Sequence, residues 1–135
     1  SRLRLNHARK HSLARLRERI AQAEHYAAGF RSDAVKLPVV PPGADAVYSR
    51  FPLFVDGKQK LLAAAAAANL EIADWFATPV HPLAGEELKL VHYIPGSCPR
   101  AELAARSIVS LPLLGKVTRS FQDDVIALIN WHVAA

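Results

Sequence analysis

The sequence predicts a small α+β domain, a two-layer sandwich in which helices cover a short, mostly antiparallel sheet. Its 135 residues suit one compact domain. Segments in which apolar residues recur with helix-type spacing alternate along the chain with segments of strand-type spacing. Although 51% of the residues are hydrophobic, 24 residues are alanine. Few bulky side chains are left for the core, so we expect thin layers.

The first element is an amphipathic helix over residues 8–30. Spacings of three and four place one apolar face on it, formed by Leu13, Leu16, Ile20, Ala23, Ala27 and Phe30. The proline-rich residues 37–45 cannot be helical and predict an extended linker. We therefore divide the chain into a connecting amphipathic helix (residues 1–36), a linker (37–45) and a small α+β domain (46–135).

The small domain is expected to begin with a strand over residues 46–55. Pro52 lacks a ladder donor and so predicts an edge strand or a bulge. Asp56 is a candidate N-cap for a helix over residues 58–68, which six consecutive alanines favour. Asn69 suits a left-handed C-cap, because asparagine tolerates positive φ.

Two strands, a long loop and two helices are predicted for the rest of the domain: residues 70–78 and 108–113 for the strands, 79–98 for the loop, and 99–107 and 120–131 for the helices. Pro99 suits a first helical turn. Ser120 and Asp123 form a weak capping-box pattern at the start of the last helix. The inner face of that helix is expected to contain Val125, Leu128, Ile129 and His132.

The net charge of +5 comes from the start of the chain. Residues 1–20 contain seven of the 17 Lys and Arg residues, with Glu18 as the only acid, and the remaining chain is nearly neutral. A basic segment can bind nucleic-acid phosphates. This one lacks aromatic residues and has an apolar face to bury, so nucleic-acid binding is not favoured.

Membrane insertion and secretion are not predicted. No apolar run reaches the roughly 18 residues of a membrane span, and the basic start lacks the apolar region of a secretory signal. Cys98 is the only cysteine, so no intrachain disulfide can form, which fits a cytoplasmic location. The start at Ser1 rather than Met leads us to expect processing or a shortened chain.

Two pairs of histidines could carry chemistry. His7 and His11 have a spacing that can chelate a metal from one helix face. No acidic or Cys ligand is nearby, so a solvated helix face is favoured and no metal site is predicted. His81 and His92 flank a loop that also holds two glutamates and could support acid–base chemistry. Without a nucleophile of clear context, independent catalysis is not favoured.

The Pro-Gly-Ser-Cys-Pro loop at residues 95–99 could hold a phosphate or carboxylate on backbone amides where it enters a helix. Pro99 removes one of those amides, and a structural turn is favoured. Cys98 precedes the helix N-terminus, a place that favours a reactive thiolate. A partly buried, inert thiol is the favoured interpretation.

Five stretches occur in order over residues 46–130: YSRFPLFV (48–55), ANLEI (68–72), DWFATPVHP (74–82), YIPGSCPRAE (93–102) and SLPL (110–113). Together they resemble the C-terminal region of the DegT/StrS family of sugar aminotransferases. The fourth stretch resembles a motif of lipopolysaccharide-type members. The helix over residues 8–30 fits the family's connecting helix by position rather than by motif. Leu114 and Gly115 depart from a His-Pro-like pair that is usual there.

The resemblance implies a pyridoxal-phosphate-dependent nucleotide-sugar aminotransferase, with a fold like the C-terminal domain of fold-type-I enzymes. In that family the Schiff-base lysine and the cofactor-binding residues lie in a large N-terminal domain. This chain alone is therefore expected to hold no catalytic or cofactor-binding residue. The implied partners are the missing large domain, a second subunit and the nucleotide-sugar. His81, Tyr93 and Ser97 are the candidates for facing that substrate.

Two functions remain open. The first is a C-terminal domain that packs on the cofactor domain in polysaccharide or lipopolysaccharide biosynthesis and is inactive alone. It predicts an exposed apolar surface, partly on the helix of residues 8–30. The second is a standalone, non-catalytic binding module that uses the basic N-terminal helix to hold an anionic partner.

Overall fold

Helices pack against a two-stranded sheet in the structure, a computed structural model that describes residues 2–115 and 117–134, with side chains from Ser12 onward. In chain order the elements are α1 (Arg2–Gly29), β1 (Phe51–Phe54), α2 (Lys58–Ala67), a 3-10 helix (Gly85–Val91), α3 (Pro99–Ser107), β2 (Ile108–Leu111) and α4 (Arg119–Ala134). This arrangement confirms the predicted small α+β class.

The inner face of the sheet is apolar along both strands. β1 and β2 pair antiparallel, with Phe51 opposite Leu111 and Leu53 opposite Val109. All four side chains are buried, as the two-residue period of a half-buried strand predicts. This face is the sheet's contribution to the core.

Pro52 lies where its missing N–H costs the sheet no hydrogen bond. On the side of β1 away from β2, Phe54 and Lys36 exchange two backbone hydrogen bonds of 3.0 Å. Because amide directions alternate along a strand, position 52 faces the same side as Phe54. The predicted edge position of this proline therefore agrees with the structure.

Asn69 adopts the predicted left-handed conformation, with φ of 54°, but the predicted strand over residues 70–78 is wrong. Within that segment only Ala73 pairs, through a single bridge to Ser110 on β2. Two later backbone carbonyls of the segment accept hydrogen bonds from the side chains of Ser110 (3.2 Å) and Lys58 (3.3 Å). Side-chain donors thus take the place of a strand ladder.

Both observed strands are shorter than predicted. β1 begins at Phe51 rather than at residue 46, and residues 44–48 instead line a groove beside α1. β2 ends at Leu111 rather than at residue 113. The sheet is therefore limited to the four residues of each strand that face each other.

Among the side chains of α1 that the structure describes, from Ser12 onward, those that reach the core lie in the C-terminal half of the helix. The helix starts earlier than the predicted residues 8–30, at the second residue of the chain. Ala23 and Tyr26 are buried, whereas Leu13 and Leu16 are 44% and 36% exposed. The predicted apolar face is therefore divided into a buried end and an exposed end.

Tyr26 joins α1 to the sheet, although the apolar spacing does not single it out. Its ring stacks on Phe51 with a centroid distance of 5.7 Å. Burial raises the pKa of the Tyr26 hydroxyl, which stays protonated at neutral pH. The core is one cluster, formed by Ala23, Tyr26, Val35, Phe51, Leu53, Val55, Leu61, Val109, Leu111, Leu113, Val125, Ile126 and Ile129.

α1 and α4 approach closely at the end of α1. A Cβ atom added to Gly29 would lie 2.5 Å from Cδ1 of Ile126, so a larger residue would require the isoleucine to move. Asn130 Nδ2 donates to the Gly29 carbonyl at 2.9 Å, and the Arg31 N–H donates to Asn130 Oδ1 at 3.2 Å. One asparagine side chain therefore bonds the backbone at the C-terminus of α1.

Gln22 on α1 holds the turn between β2 and α4. Its Oε1 accepts from the Leu114 N–H at 2.7 Å, and its Nε2 donates to the Val117 carbonyl at 3.0 Å. Leu114 and Gly115 both have positive φ, 66° and 69°. The turn at which the sequence departs from the family pattern is thus fixed by a side chain from another element.

Both predicted N-caps are wrong. Gly57, with φ of 67°, is the N-cap of α2, and Asp56 makes no side-chain cap. At α4, Oγ1 of Thr118 accepts from the Phe121 N–H at 3.1 Å, while Ser120 lies inside the helix. At α2 the helix begins at Lys58 as predicted, and the residue directly before it, Gly57, takes the cap position. At α4 the helix begins at Arg119 rather than at residue 120, so the cap lies two residues before Ser120.

α4 packs on the core through a face slightly different from the predicted one. Val125 and Ile129 are buried as predicted, while Leu128 and His132 are only half-buried. The buried residues of the helix are Gln122, Val125, Ile126 and Ile129.

Candidate functional site

The three residues predicted to face a substrate lie in two clusters. His81 packs against the aromatic rings of Trp75 and Phe76. Tyr93 and Ser97 lie in the loop that enters α3. The structure thus places two of the candidates in one loop and the third beside a different group of side chains.

Glu102, in the first turn of α3, organises the loop of Tyr93 and Ser97. Its Oε1 accepts from the Tyr93 hydroxyl at 2.7 Å and from the Gly96 N–H at 2.5 Å. The Ser97 N–H donates to the Ile94 carbonyl at 3.0 Å. An internal carboxylate therefore occupies the amide that could otherwise bind an anion, which agrees with the favoured interpretation of this loop as a structural turn.

The same contacts shift two pKa values in opposite directions. The hydrogen bond from Tyr93, followed by that from the Gly96 N–H, lowers the pKa of Glu102. The hydrogen bond that the Tyr93 hydroxyl donates to the Glu102 carboxylate raises the pKa of that hydroxyl. At neutral pH Glu102 is therefore ionised and Tyr93 keeps the proton that it donates.

We expect this loop to lose its carboxylate contacts in acid. Because the pKa of Glu102 is lower in the folded than in the unfolded chain, its hydrogen bonds stabilise the fold above the ordinary glutamate range. That contribution is lost as the pH falls through the lowered pKa. In an NMR titration, the Gly96 amide proton should therefore move toward its solvent-bonded position at acid pH.

Glu102→Gln should abolish this titration of the Gly96 amide, because the amide side chain carries no ionisable group. Glu86→Gln changes an exposed glutamate of the 3-10 helix and should leave it unchanged. If the chemical shift of the Gly96 amide proton stayed constant from neutral pH to about pH 2, the proposed control of this amide by the Glu102 carboxylate would be contradicted.

His81 lies within a group of three rings. Its centroid is 5.5 Å from that of Phe76, edge to face, and 6.4 Å from that of Trp75. Its Nδ1 accepts a long hydrogen bond of 3.4 Å from the Ala77 N–H, which leaves the proton of the neutral ring on Nε2. The ring can therefore act as a donor through Nε2.

The sequence pattern does not single out Trp75 and Phe76, which the prediction places in a strand. Each side chain is 55% exposed. A signal was nevertheless available, because adjacent residues of a strand point to opposite faces. Two neighbouring bulky aromatic residues could not both have faced the core of a thin domain.

Lys58 connects the aromatic group to the core. The residue is 3% exposed, and its ammonium donates to the carbonyls of Ala105 at 2.7 Å and Phe76 at 3.3 Å. It also forms an ion pair with Asp74. A buried ammonium requires such partners, so Lys58 fixes the backbone beneath the exposed rings.

An apolar groove of about 570 Å³ runs between α1 and the linker. Val47 and Val40 on the linker side are 44% and 42% exposed. The lining on the α1 side includes four residues of the predicted apolar face: Leu16, Ile20, Ala23 and Ala27. The expected exposed apolar surface on the first helix is therefore present.

The remaining candidates stand apart from these features. Cys98 is exposed rather than partly buried as expected. His92 ends the 3-10 helix with φ of 55° and is exposed. Among the described side chains, no group of three or more His, Cys, Asp or Glu residues could hold a metal ion. His7 and His11 lie outside the described side chains.

A family match covers most of the chain, α1 included. The model described as the DegT/DnrJ/EryC1/StrS aminotransferase family matches residues 7–130. The chain belongs to this family. The match to the DegT/DnrJ/EryC1/StrS family begins at residue 7, within α1. It therefore includes most of this helix, which the sequence motifs did not cover.

A curated relative in this family is the erythromycin biosynthesis sensory transduction protein EryC1 of Saccharopolyspora erythraea. It is 31% identical over 114 residues, which cover 83% of this chain and 30% of EryC1. The chain therefore spans about 30% of the length of the curated relative that it matches.

The chain likewise covers 30–32% of the length of three similar proteins with solved structures. DesV of S. venezuelae, solved with a ketimine intermediate, is 26% identical with a TM-score of 0.76 over 87% of this chain and 32% of DesV. A DegT/DnrJ/EryC1/StrS aminotransferase from Brucella abortus is 23% identical with a TM-score of 0.71 over 89% of this chain and 31% of that protein. The sugar aminotransferase CalS13 of Micromonospora echinospora has a TM-score of 0.67 at 15% identity over 86% of this chain and 30% of CalS13.

Within residues 2–115 and 117–134, none of the helices combines the length and hydropathy needed to cross a membrane.

Proposed function

We propose that this chain is the small C-terminal domain of a pyridoxal-phosphate-dependent nucleotide-sugar aminotransferase of polysaccharide or lipopolysaccharide biosynthesis. Its own task is to pack on a large cofactor-binding domain and to help close the active site. The observation that carries the proposal is the family match combined with length: the chain aligns with 30% of EryC1 and 32% of DesV. Most of a family protein therefore lies outside the aligned region.

The apolar groove between α1 and the linker is the surface that we assign to the large domain. Leu13 and Leu16 lie on the exposed end of α1, and Leu16 lines the groove. Removing apolar surface from water contributes about 25 cal/mol per Å². The chain aligns with only 30% of EryC1. We therefore propose that the rest of the family fold, which this chain does not contain, covers this groove.

We infer that the cofactor is held outside this chain. Members of this family generally use pyridoxal phosphate, which requires an available lysine amine and groups that hold its ring and phosphate. Lys58 is buried, and its ammonium already bonds Asp74 and two backbone carbonyls. The other described lysines are exposed: Lys36, Lys60 and Lys89. They do not fit such a site.

In the complete enzyme, pyridoxal phosphate would supply the electron sink for amino-group transfer. We propose that this chain contributes substrate-facing groups from His81, Tyr93 and Ser97, and that the enzyme is a cytoplasmic homodimer. The Nε2–H of His81 and the exposed hydroxyl of Ser97 can donate hydrogen bonds to polar groups of a sugar. The Tyr93 hydroxyl is already bonded to Glu102 and would contribute mainly through its ring.

The product of the native gene tests the proposal. We expect an intact mass several-fold larger than the 14.7 kDa of this chain, and visible absorbance from bound pyridoxal phosphate that changes when an amino donor is added. In that product, Leu16→Glu should place a charge in the groove and make α1 sensitive to proteolysis. Arg17→Glu, at an exposed position of the same helix, is the matched control and should not.

A native mass equal to that of these 135 residues would overturn the proposal. It would favour the alternative of a standalone binding module for an anionic partner. Steeply salt-dependent binding that is lost when Arg15, Arg17 and Arg19 are neutralised would then identify the basic helix as the binding surface.

A further inference from the structure

We propose that a cleft between α3 and the outer edge of β1 binds a small carboxylic acid with an apolar body, such as a medium-chain fatty acid. This cleft, which we call the α3 cleft, is lined by residues 34 and 36, residues 54–56 and four residues of α3: Arg100, Leu103, Ala104 and Ser107. None of the three residues predicted to face a substrate lines it. The site therefore does not depend on the proposed function.

Two walls of the α3 cleft are fixed by backbone hydrogen bonds to β1 and the residue after it. Lys36 and Phe54 exchange two bonds of 3.0 Å on one side, and the Val55 N–H donates to the Ser107 carbonyl at 3.0 Å on the other. The space between the walls is about 460 Å³, within the roughly 300–1,000 Å³ of small-molecule sites. Because both walls are already held, a ligand would not have to order them.

The interior of the α3 cleft presents uncovered apolar surface. Leu103 is 60% exposed, and Phe54 is half-buried. The nearby lining residues Ala34 and Ala104 carry only a methyl group and leave this surface open to solvent. An apolar body placed in the cleft would remove the exposed surface of Leu103 from water, which favours binding.

The charges that line the α3 cleft favour a monoanion. Lys36, Arg100 and Asp56 line it, and all three residues are exposed. Among the side chains described in residues 12–115 and 117–134, neither cation forms an ion pair. The excess of positive charge attracts an anion, while Asp56 repels additional negative charge. A single carboxylate therefore fits this site better than a compact polyanion such as citrate.

The same comparison separates the α3 cleft from the groove beside α1. Among the described side chains that line that groove, the charged ones are Glu24 and Asp45, and none is basic. Apolar surface alone would attract an uncharged molecule to either place. A carboxylate is repelled by the acids of the groove and attracted by the cations of the α3 cleft, so the charge assigns the ligand to the cleft.

NMR spectra of leucine methyl groups in the 135-residue chain test the site. Leu103 reports on the α3 cleft, and Leu16 reports on the groove. We would titrate octanoate, its neutral analogue octanamide, and citrate. We expect saturable shifts of the Leu103 methyl signals with octanoate and little change at Leu16. Octanamide should bind about two- to fivefold more weakly than octanoate, and citrate should give no saturable shift.

Variants separate the charged and apolar parts of the site. Lys36→Gln and Arg100→Gln should each weaken octanoate binding by about two- to fivefold. Arg106→Gln removes an exposed charge of the same helix outside the cleft and should bind like the parent. Ala104→Leu should fill the cleft and abolish the octanoate shifts, whereas Ala101→Leu, at an exposed position of α3 outside the cleft, should preserve them.

Three results would overturn the inference: no saturable shift at Leu103, equal affinities for octanoate and octanamide, or unchanged octanoate affinity in both Lys36→Gln and Arg100→Gln. Shifts at Leu16 as large as those at Leu103 would also overturn it, because they would show binding by apolar surface alone. The two charge variants change exposed side chains, so their outcome does not depend on the packing of α3. None of these measurements involves the cofactor or the mass of the native product, on which the proposed function is tested.

Discussion

Replacing Lys58 with alanine should lower the free energy of unfolding of this chain by about 3 kcal/mol. Lys58 is 3% exposed and supplies the hydrogen bonds to the carbonyls of Ala105 and Phe76. The substitution leaves these carbonyls without that donor and leaves Asp74 without its ion-pair partner. The side chain of Asp74 is 36% exposed, so water relieves part of its penalty, and we expect less than the full cost of an unpaired buried charge.

Urea unfolding followed by circular dichroism measures this loss. Lys60→Ala, at an exposed position of the same helix, is the matched control and should change stability by less than about 0.5 kcal/mol. In a double-mutant cycle, Lys58→Ala and Asp74→Ala should be coupled by more than about 0.5 kcal/mol. Equal stabilities of the Lys58→Ala and Lys60→Ala variants would show that the buried ammonium does not hold the segment.

Leu53→Ala should lower the free energy of unfolding by about 2–5 kcal/mol. Leu53 is fully buried on β1, opposite Val109 of β2. Truncation removes apolar burial and leaves a cavity in a core made of thin layers. Because the core has few bulky residues, little material is available to fill that cavity.

Leu90→Ala removes the same atoms from a residue that is 78% exposed. Because the chemical change is the same, a difference in thermal unfolding between the two variants reports the effect of burying the leucine. We expect the Leu90→Ala transition to resemble that of the parent and the Leu53→Ala transition to occur at a clearly lower temperature. Similar small shifts for both would mean that this core contributes little to the stability of the chain.

The fold class and most element positions are predictable from the sequence, because they depend on local spacing. The spacing of apolar residues locates α1, and the alanine run with Asn69 locates the end of α2. The strand over residues 70–78 could not be excluded in this way. Two carbonyls of this segment accept hydrogen bonds from the side chains of Lys58 and Ser110. Both residues are distant in sequence, and the spacing of neighbouring residues carries no information about such contacts.

The candidate site is less predictable for the same reason. The family resemblance singles out His81, and the structure adds the two aromatic rings that pack against it, those of Trp75 and Phe76. Glu102 likewise organises the loop of Tyr93 through a hydrogen bond that no pattern of spacing predicts. Sequence reasoning therefore finds residue types and segments, while the pairing of side chains depends on tertiary contacts.

The edge of the sheet has a consequence for association with other chains. An open strand edge offers unpaired N–H groups on which a foreign strand can assemble, a common route to aggregation. On the outer side of β1, the Phe54 N–H already donates to the Lys36 carbonyl, and Pro52 has no N–H. A foreign strand approaching the outer side of β1 would therefore find no free N–H donor at positions 52 and 54, so strand addition at this edge is disfavoured.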